Sequence, residues 1–393
     1  MDRLDVAVRT HVPVKRPLSC SRSVNELCGI CGERILDTKV NFMRRSAAPV
    51  FVLGSSRSGT TLLYGMLLSA GGFAVYLAES NVFNLLAPHF GNLRRRADRE
   101  RLLRVWLGSK LFRATGLDAR EIEWEILEYC RNAGDFLRIV MEAITRRQGM
   151  QRWAENSVEG NLHLSEIKRL VPNALIIHMI RDGRDVAMSL NRSNYVRPFP
   201  WQRHISLEGA GVYWEWVVQN GRQQGLRLGN DYLEVHFEDL INAPRETLET
   251  VGAFLDHDLD YDRIRQIGYG SVSKPNTLFN SELREKFNPI GRWEKGFSTS
   301  ALLRFENMIG NTLLEHGYAL ASTTQQPKMD WEMRVTRQIY RTFFESKLLM
   351  KYTPLVRWLR PVTAARLDAI TQAEDHQPEL RTGNPQQSPG SSR

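Results

Sequence analysis

The stretch PVFVLGSSRSGTTLLYGMLL, residues 49–68, sets the narrowest limit on what this chain can fold into. An apolar run of strand length meets Gly54, a second glycine follows at Gly59, and a leucine-rich helical pattern begins after Thr60 and Thr61. Strand, glycine-bounded loop and helix in direct succession make a phosphate-binding unit. The loop and first helical turn aim backbone N–H groups at one spot, and the helix dipole adds partial positive charge there. The G-x-x-x-x-G spacing fits a nucleotide P-loop, but the lysine that should follow the second glycine is Thr60. The positive charge lies inside the loop instead, at Arg57. A tight strand–helix turn with no ligand is the structural alternative.

Two more apolar runs, ALIIHMI (174–180) and YLEVHF (232–237), read as buried strands. Helical patterns follow them, DVAMSLNRS and APRETLETVGAFL. Strands alternating with helices indicate a parallel sheet covered on both faces, an α/β fold whose ligands sit outside the carboxyl ends of the strands. Residues 93–150 and 197–230 read as helical inserts, the second carrying Trp201, Trp214 and Trp216. The chain divides into an irregular basic arm (1–46), the α/β domain (47–321), a basic amphipathic helical extension (322–371) and a disordered tail (372–393).

The 393 residues carry a net charge of +9, which suits anionic ligands, nucleic acid or a membrane surface without choosing among them. No apolar run reaches transmembrane length, and the start lacks the apolar core of a signal peptide, so a cytoplasmic protein is expected. Of the cysteines Cys20, Cys28, Cys31 and Cys130, CGIC at 28–31 is a single C-x-x-C. Zinc needs two more ligands, and reduced thiols in a loose arm are the expectation.

Two further stretches join the first loop. In IIHMIRDGRDVAMSL, Arg181 ends a strand and Ser189 follows eight residues later on the next helix. Both face the same sheet edge as the loop and can grip a second phosphate by charge and hydroxyl. The alternative is that Arg181 pairs with Asp182 or Asp185. In KFNPIGRWEKGFS (286–298), Lys286, Arg292 and Trp293 surround a Pro–Ile–Gly turn that can close over an anion, or be an ordinary surface loop.

Together the three stretches resemble the sulfotransferase family that uses 3'-phosphoadenosine 5'-phosphosulfate (PAPS), over roughly residues 49–320 and most of all its bacterial and tyrosyl-protein branches. The resemblance implies a P-loop-like three-layer sandwich with a mostly parallel central sheet. It implies PAPS as donor, adenosine 3',5'-bisphosphate (PAP) as product, and no metal. The loop Ser56, Arg57, Ser58, Gly59, Thr60 and Thr61 would hold the 5'-phosphosulfate. Arg181 and Ser189 would hold the 3'-phosphate, and Lys286, Gly291 and Arg292 correspond to the third motif. A donor without a γ-phosphate has no use for the P-loop lysine, which accounts for Thr60. Arg57 would stabilise the leaving group. Glu79, in GGFAVYLAES, matches the glutamate base of the tyrosyl-protein type after one inserted residue. The bland reading of Glu79 is a cap on the next helix, and His163 is the second candidate base. Asn156 in WAENSVEG stands where many relatives carry a lysine that touches the transferred group.

The expected function is therefore transfer of a sulfuryl group to a hydroxyl of an acceptor. The tryptophans and leucines of the inserts suit an apolar or lipid-like acceptor, and core packing explains them equally well. The alternatives are a P-loop nucleotide kinase and a non-catalytic membrane- or partner-binding protein on the same fold. Residues 328–366 hold nine basic and three acidic residues among aromatic ones, and are expected either to touch a membrane surface peripherally or to pack on the domain. Nucleic acid is not an expected partner, since the basic residues form no recognisable binding module.

Overall fold

A computed structural model describes residues 45–193, 196, 199, 202–268, 288–321, 327–359 and 361–370. Its centre is a sheet of four parallel strands, β1 (Val50–Gly54), β2 (Ala154–Val158), β3 (Leu175–Ile180) and β4 (Tyr232–His236), in the order β2-β1-β3-β4. Val52 pairs with Asn156 on one side and Ile177 on the other, so β1 lies inside the sheet and its carboxyl end has a neighbour on each flank. Three of the strands lie where apolar runs were expected. β2 was not anticipated, because its sequence AENSV puts three polar residues where a buried strand should be apolar. Pairing with β1 imposes the extended form on it.

The helices used below are α1 (Thr60–Ser69), α2 (Arg96–Trp106), α3 (Lys110–Arg113), α4 (Ala119–Tyr129), α5 (Ala133–Gln148), α6 (Gly183–Ser193), α7 (Leu207–Gly225), α8 (Pro244–Leu255), α9 (Thr299–Glu315), α10 (Trp331–Lys351), α11 (Pro354–Leu359) and α12 (Ala364–Ile370). The period of two along β1 divides the core. Phe51 and Leu53 face a cluster that includes residues of α2, α4 and α5, while Val50 and Val52 face one built on α1 and α8. Both sheet faces are thus covered, as an all-parallel sheet requires. Two of the insert helices, α4 and α5, begin at side-chain caps: Asp118 accepts from the N–H of Arg120 and Glu121, and Asn132 from that of Asp135. The fold is the three-layer α/β arrangement expected, with the sheet parallel throughout.

A third cluster joins α6, α7, α9 and α10. Trp214 and Trp216 belong to it, both buried, so core packing is what these tryptophans do; Trp201 lies outside the described residues. α10 lays Met333, Tyr340 and Phe344 on this cluster, with Phe344 stacked on Trp216 at 5.7 Å and Arg337 bonded to Glu215 at 2.8 Å. Burial of one such aromatic ring contributes about 1.5–3 kcal/mol. The chain then returns to the insert. Leu367 of α12 is buried in the insert's cluster, and Asp368 accepts from the backbone N–H of Lys110 at 2.7 Å. The inner face of the extension therefore packs on the domain. No described helix is long and apolar enough to cross a membrane. Cys130 is a buried free thiol, whereas Cys20, Cys28 and Cys31 lie outside the described residues.

Candidate active site

The loop after β1 depends on its two glycines. A Cβ at Gly54 would lie 2.8 Å from the Met179 carbonyl oxygen, and one at Gly59 would lie 2.4 Å from the Phe237 ring. Gly59 also has φ +90°, where a side chain is strained. Gly59 caps α1 without any side-chain cap bond; the Leu62 N–H turns back to the Gly59 carbonyl at 3.0 Å, which leaves the N–H groups of Thr60 and Thr61 for a ligand or water. Arg57 has φ 73°, a left-handed conformation that costs a non-glycine residue roughly 1–3 kcal/mol and concentrates at ligand sites. Ser56 and Ser58 are buried, yet neither Oγ has a hydrogen-bond partner. Buried hydroxyls in that state fit a site built for an anion with many oxygens. Thr60 is buried behind the loop and Thr61 is exposed at its rim.

The second motif comes against the loop. Arg57 donates from Nε to Ser189 Oγ at 2.9 Å. Arg181 donates from Nη1 to the Arg57 carbonyl at 3.0 Å and from Nη2 to the Pro289 carbonyl at 2.5 Å, with its guanidinium over the Phe237 ring at 4.3 Å. Its Nε has no partner. Asp182 does not pair with Arg181 but holds Arg184, at 2.8 Å from Nη2, while Asp185 lies 3.9 Å from Arg181. The Asp185 carboxylate accepts from the N–H of Gly291 at 3.0 Å and of Trp293 at 2.9 Å, and so ties the third motif to the second. RDGRD thus holds both neighbouring loops in place. Lys286 lies outside the described residues.

The three motifs enclose a cleft of about 260 Å³ lined by Arg57, Asp185, Met188, Ser189, Arg192, Ser193 and Arg292. Arg57, Arg192 and Arg292 are exposed there, and Arg181 braces the wall behind them. Sequence reasoning missed Arg192 and Ser193. The available signal was their place three and four residues after Ser189, which brings them to the same helical face.

The flank toward β2 carries carboxyl groups instead of arginines. Glu79 is largely buried, and burial followed by repulsion from Glu159 pushes its carboxyl up to about 7. Glu155, fully buried on β2, accepts from Ser80 Oγ at 2.6 Å and leaves its Oε2 unpartnered. Burial is the main reason its carboxyl is pushed up to about 8; the Ser80 bond opposes this and the Glu79 charge adds to it. Glu159 accepts from the Tyr213 hydroxyl, and its backbone N–H reaches the Gly54 carbonyl at 3.1 Å, directly beside the loop. Glu79 does not cap the following helical turn, whose N-cap is Asn81. Asn156 donates from Nδ2 to Thr61 Oγ1 at 3.3 Å, so it does reach the loop from the lysine's position. His163 is buried with Nδ1 3.1 Å from the Tyr352 hydroxyl, and burial, aided by Lys351, lowers its pKa to about 4. Glu155 and Glu159 were not foreseen, one lying in the strand that was not anticipated and the other directly after it. Among the described residues no group of three or more His, Cys, Asp or Glu is placed to hold a metal ion.

The model of the sulfotransferase family matches residues 49–261, which cover β1 to β4 and both of the first two motifs. The chain belongs to that family. It is similar to Sulfotransferase 1B1 of Mus musculus, 26% identical over 115 residues; the match covers 27% of this chain and 38% of the mouse protein. Among solved structures it is similar to the sulfotransferase domain of the Synechococcus PCC 7002 olefin synthase, with 20% identity, coverage of 68% of this chain and 94% of that one, and a TM-score of 0.45. The sulfotransferase STF9 from Mycobacterium avium is 12% identical, with coverage of 74% and 82% and a TM-score of 0.36.

Proposed function

We propose that the protein transfers a sulfuryl group from PAPS to an acceptor hydroxyl. The observation that carries this reading is the direct junction of the two anion grips: Arg57 of the first loop bonds Ser189 of the second motif, and Arg181 of the second motif bonds the Arg57 carbonyl. A donor with phosphates at both its 5' and 3' positions needs two such grips side by side. The α1 amides with the unpartnered Ser56 and Ser58 hydroxyls would receive the 5'-phosphosulfate. Ser189, Arg192, Arg292 and Arg181 would receive the 3'-phosphate, with Arg57 between the two groups. Lys286 keeps its proposed place in the third motif on sequence grounds alone.

In the transfer the acceptor O–H proton passes to Glu79, the acceptor oxygen forms a bond to sulfur, and the bond from sulfur to the phosphate oxygen breaks with PAP as the leaving group. Glu79 suits the base because partial desolvation holds its pKa near neutrality. Arg57 and the loop amides stabilise charge on the departing phosphate. Asn156, bonded to Thr61, supplies an uncharged donor where relatives would place a cation. The acceptor provides a hydroxyl. The leucines of the first insert pack in the core as Trp214 and Trp216 do, so neither group marks an apolar acceptor.

Thermal unfolding with added nucleotide tests the donor. PAP without Mg²⁺ should raise Tm by several degrees at concentrations well above its Kd, because a ligand that binds only the native state stabilises it. Stabilisation by ATP with Mg²⁺ and none by PAP would replace this reading with that of a nucleotide kinase.

A further inference from the structure

Fifteen large apolar side chains are exposed among the described residues, and nine of them lie between Trp331 and Leu359. Those on α10 share one face. On α10, Trp331, Val335 and Ile339 recur every four residues on the side opposite Met333, Tyr340 and Phe344, which pack inward. Leu349 continues the outer stripe, and Leu355 and Trp358 are exposed on α11, which follows it in the chain. Trp331 is 77% exposed, Leu349 72% and Trp358 78%. The helix is apolar on two sides, and among the described residues the domain covers only one.

The charge of the whole segment bears on what covers the other, although Arg337 and Arg341 are already paired with Glu215 and Glu345. Residues 328–366 carry nine basic and three acidic side chains, so +6 of the chain's net +9 falls in this segment. A second copy of the chain would bring the same excess of positive charge against itself, which opposes association. A bilayer containing anionic lipid meets both features, since its acyl boundary takes Trp and Leu and its surface potential attracts Lys and Arg. Tryptophans at the two ends of the stripe suit the headgroup level. No described helix can span the bilayer, so this one would lie in its surface.

We infer that the outer face of α10 and α11 docks the protein on an anionic membrane surface. This holds whether or not the sulfuryl-transfer reading does.

The test is co-sedimentation of the full chain with vesicles of phosphatidylcholine, with and without phosphatidylserine, beside the variant Trp331→Ser, Leu349→Ser, Leu355→Ser, Trp358→Ser. All four positions are exposed, so unchanged circular dichroism and Tm should show an intact fold. The wild type should pellet with the anionic vesicles and much less with the neutral ones. The variant's partitioning should be lower by about tenfold or more, the scale expected from losing several interfacial anchors. Equal pelleting of wild type and variant, or no pelleting of the wild type, overturns the inference. So does a concentration-dependent dimer in sedimentation velocity that the variant abolishes, since the face would then be an interface between copies.

Discussion

The two flanks of the β1 loop differ in their ionisable groups and in how they are built. Toward β3 lies a cleft with Arg57, Arg192 and Arg292 open to water. Toward β2 lie Glu79, Glu155 and Glu159, with the first two withdrawn from water. The strand order β2-β1-β3 is what separates them. An arginine keeps its charge in water and can grip an anion from an exposed wall. A glutamate in water is too weak a base at neutral pH and must be partly buried to gain basicity. Binding charge can therefore be displayed, whereas a base has to be enclosed, and that difference fixes which substitutions should act on each flank.

The largest effect should come from the acidic flank. Glu79→Gln keeps the shape and removes the basicity. Turnover should fall by roughly a hundredfold or more, while PAP binding stays near wild type because Glu79 is outside the basic cleft. Wild-type turnover should also rise with pH through about 7 as Glu79 loses its proton. Steady-state rates beside calorimetry of PAP separate the two quantities. A variant that turns over at the wild-type rate would move the base elsewhere. His163 would then be tested next, although its Tyr352 contact and lowered pKa suit a packing role.

The basic flank should respond in affinity. Arg181→Ala removes a guanidinium that braces both the Arg57 and the Pro289 carbonyls. PAP binding should weaken by about 1.5–3 kcal/mol, the range for a charged hydrogen-bonding group. Adenosine 5'-phosphosulfate, which lacks the 3'-phosphate, should lose less. Equal losses in calorimetry would mean that Arg181 acts only by holding the loop, and the 3'-phosphate would pass to Arg192 and Arg292.

The basic flank was legible in the sequence because its parts are local. Glycines at fixed spacing, an arginine ending a strand and a serine on the next helix each sit in a short readable unit, and the structure joins Arg57 to Ser189 and Arg181 to the loop. The acidic flank was only half legible. Glu79 was picked out through the family resemblance. Glu155 and Glu159 were hidden because β2 is polar in its middle and becomes a strand only by pairing with β1. The polar residues that disguised the strand are themselves part of the candidate site. Charge patterning located the C-terminal extension, but which of its faces packs depends on the tertiary contacts of α7.

The smallest effect should appear in stability, and its sign distinguishes the buried carboxylates from the buried histidines. Glu155 holds its proton in the folded protein up to about pH 8, against an ordinary value of 4.5. Folded Glu155 thus binds more protons than unfolded Glu155 between those values. Its contribution is complete below the unfolded pKa and is lost as pH rises through about 8. His163 and His316, lowered by burial to about 4 from an ordinary 6.5, act in the opposite sense, and their contribution grows as pH rises toward 6.5. The histidines contribute equally in the wild type and in a Glu155 variant, so the difference between the two isolates the carboxyl. Glu155→Gln preserves an acceptor for the Ser80 hydroxyl and cannot ionise. Between pH 6.5 and 8 the wild type should lose about 1–2 kcal/mol more stability than this variant, since each full proton contributes about 1.4 kcal/mol per pH unit. Denaturant unfolding at several pH values measures both slopes. Parallel slopes would mean that Glu155 is already ionised in the folded protein, and the enclosure that distinguishes the β2 flank from the open arginine cleft would then belong to Glu79 alone.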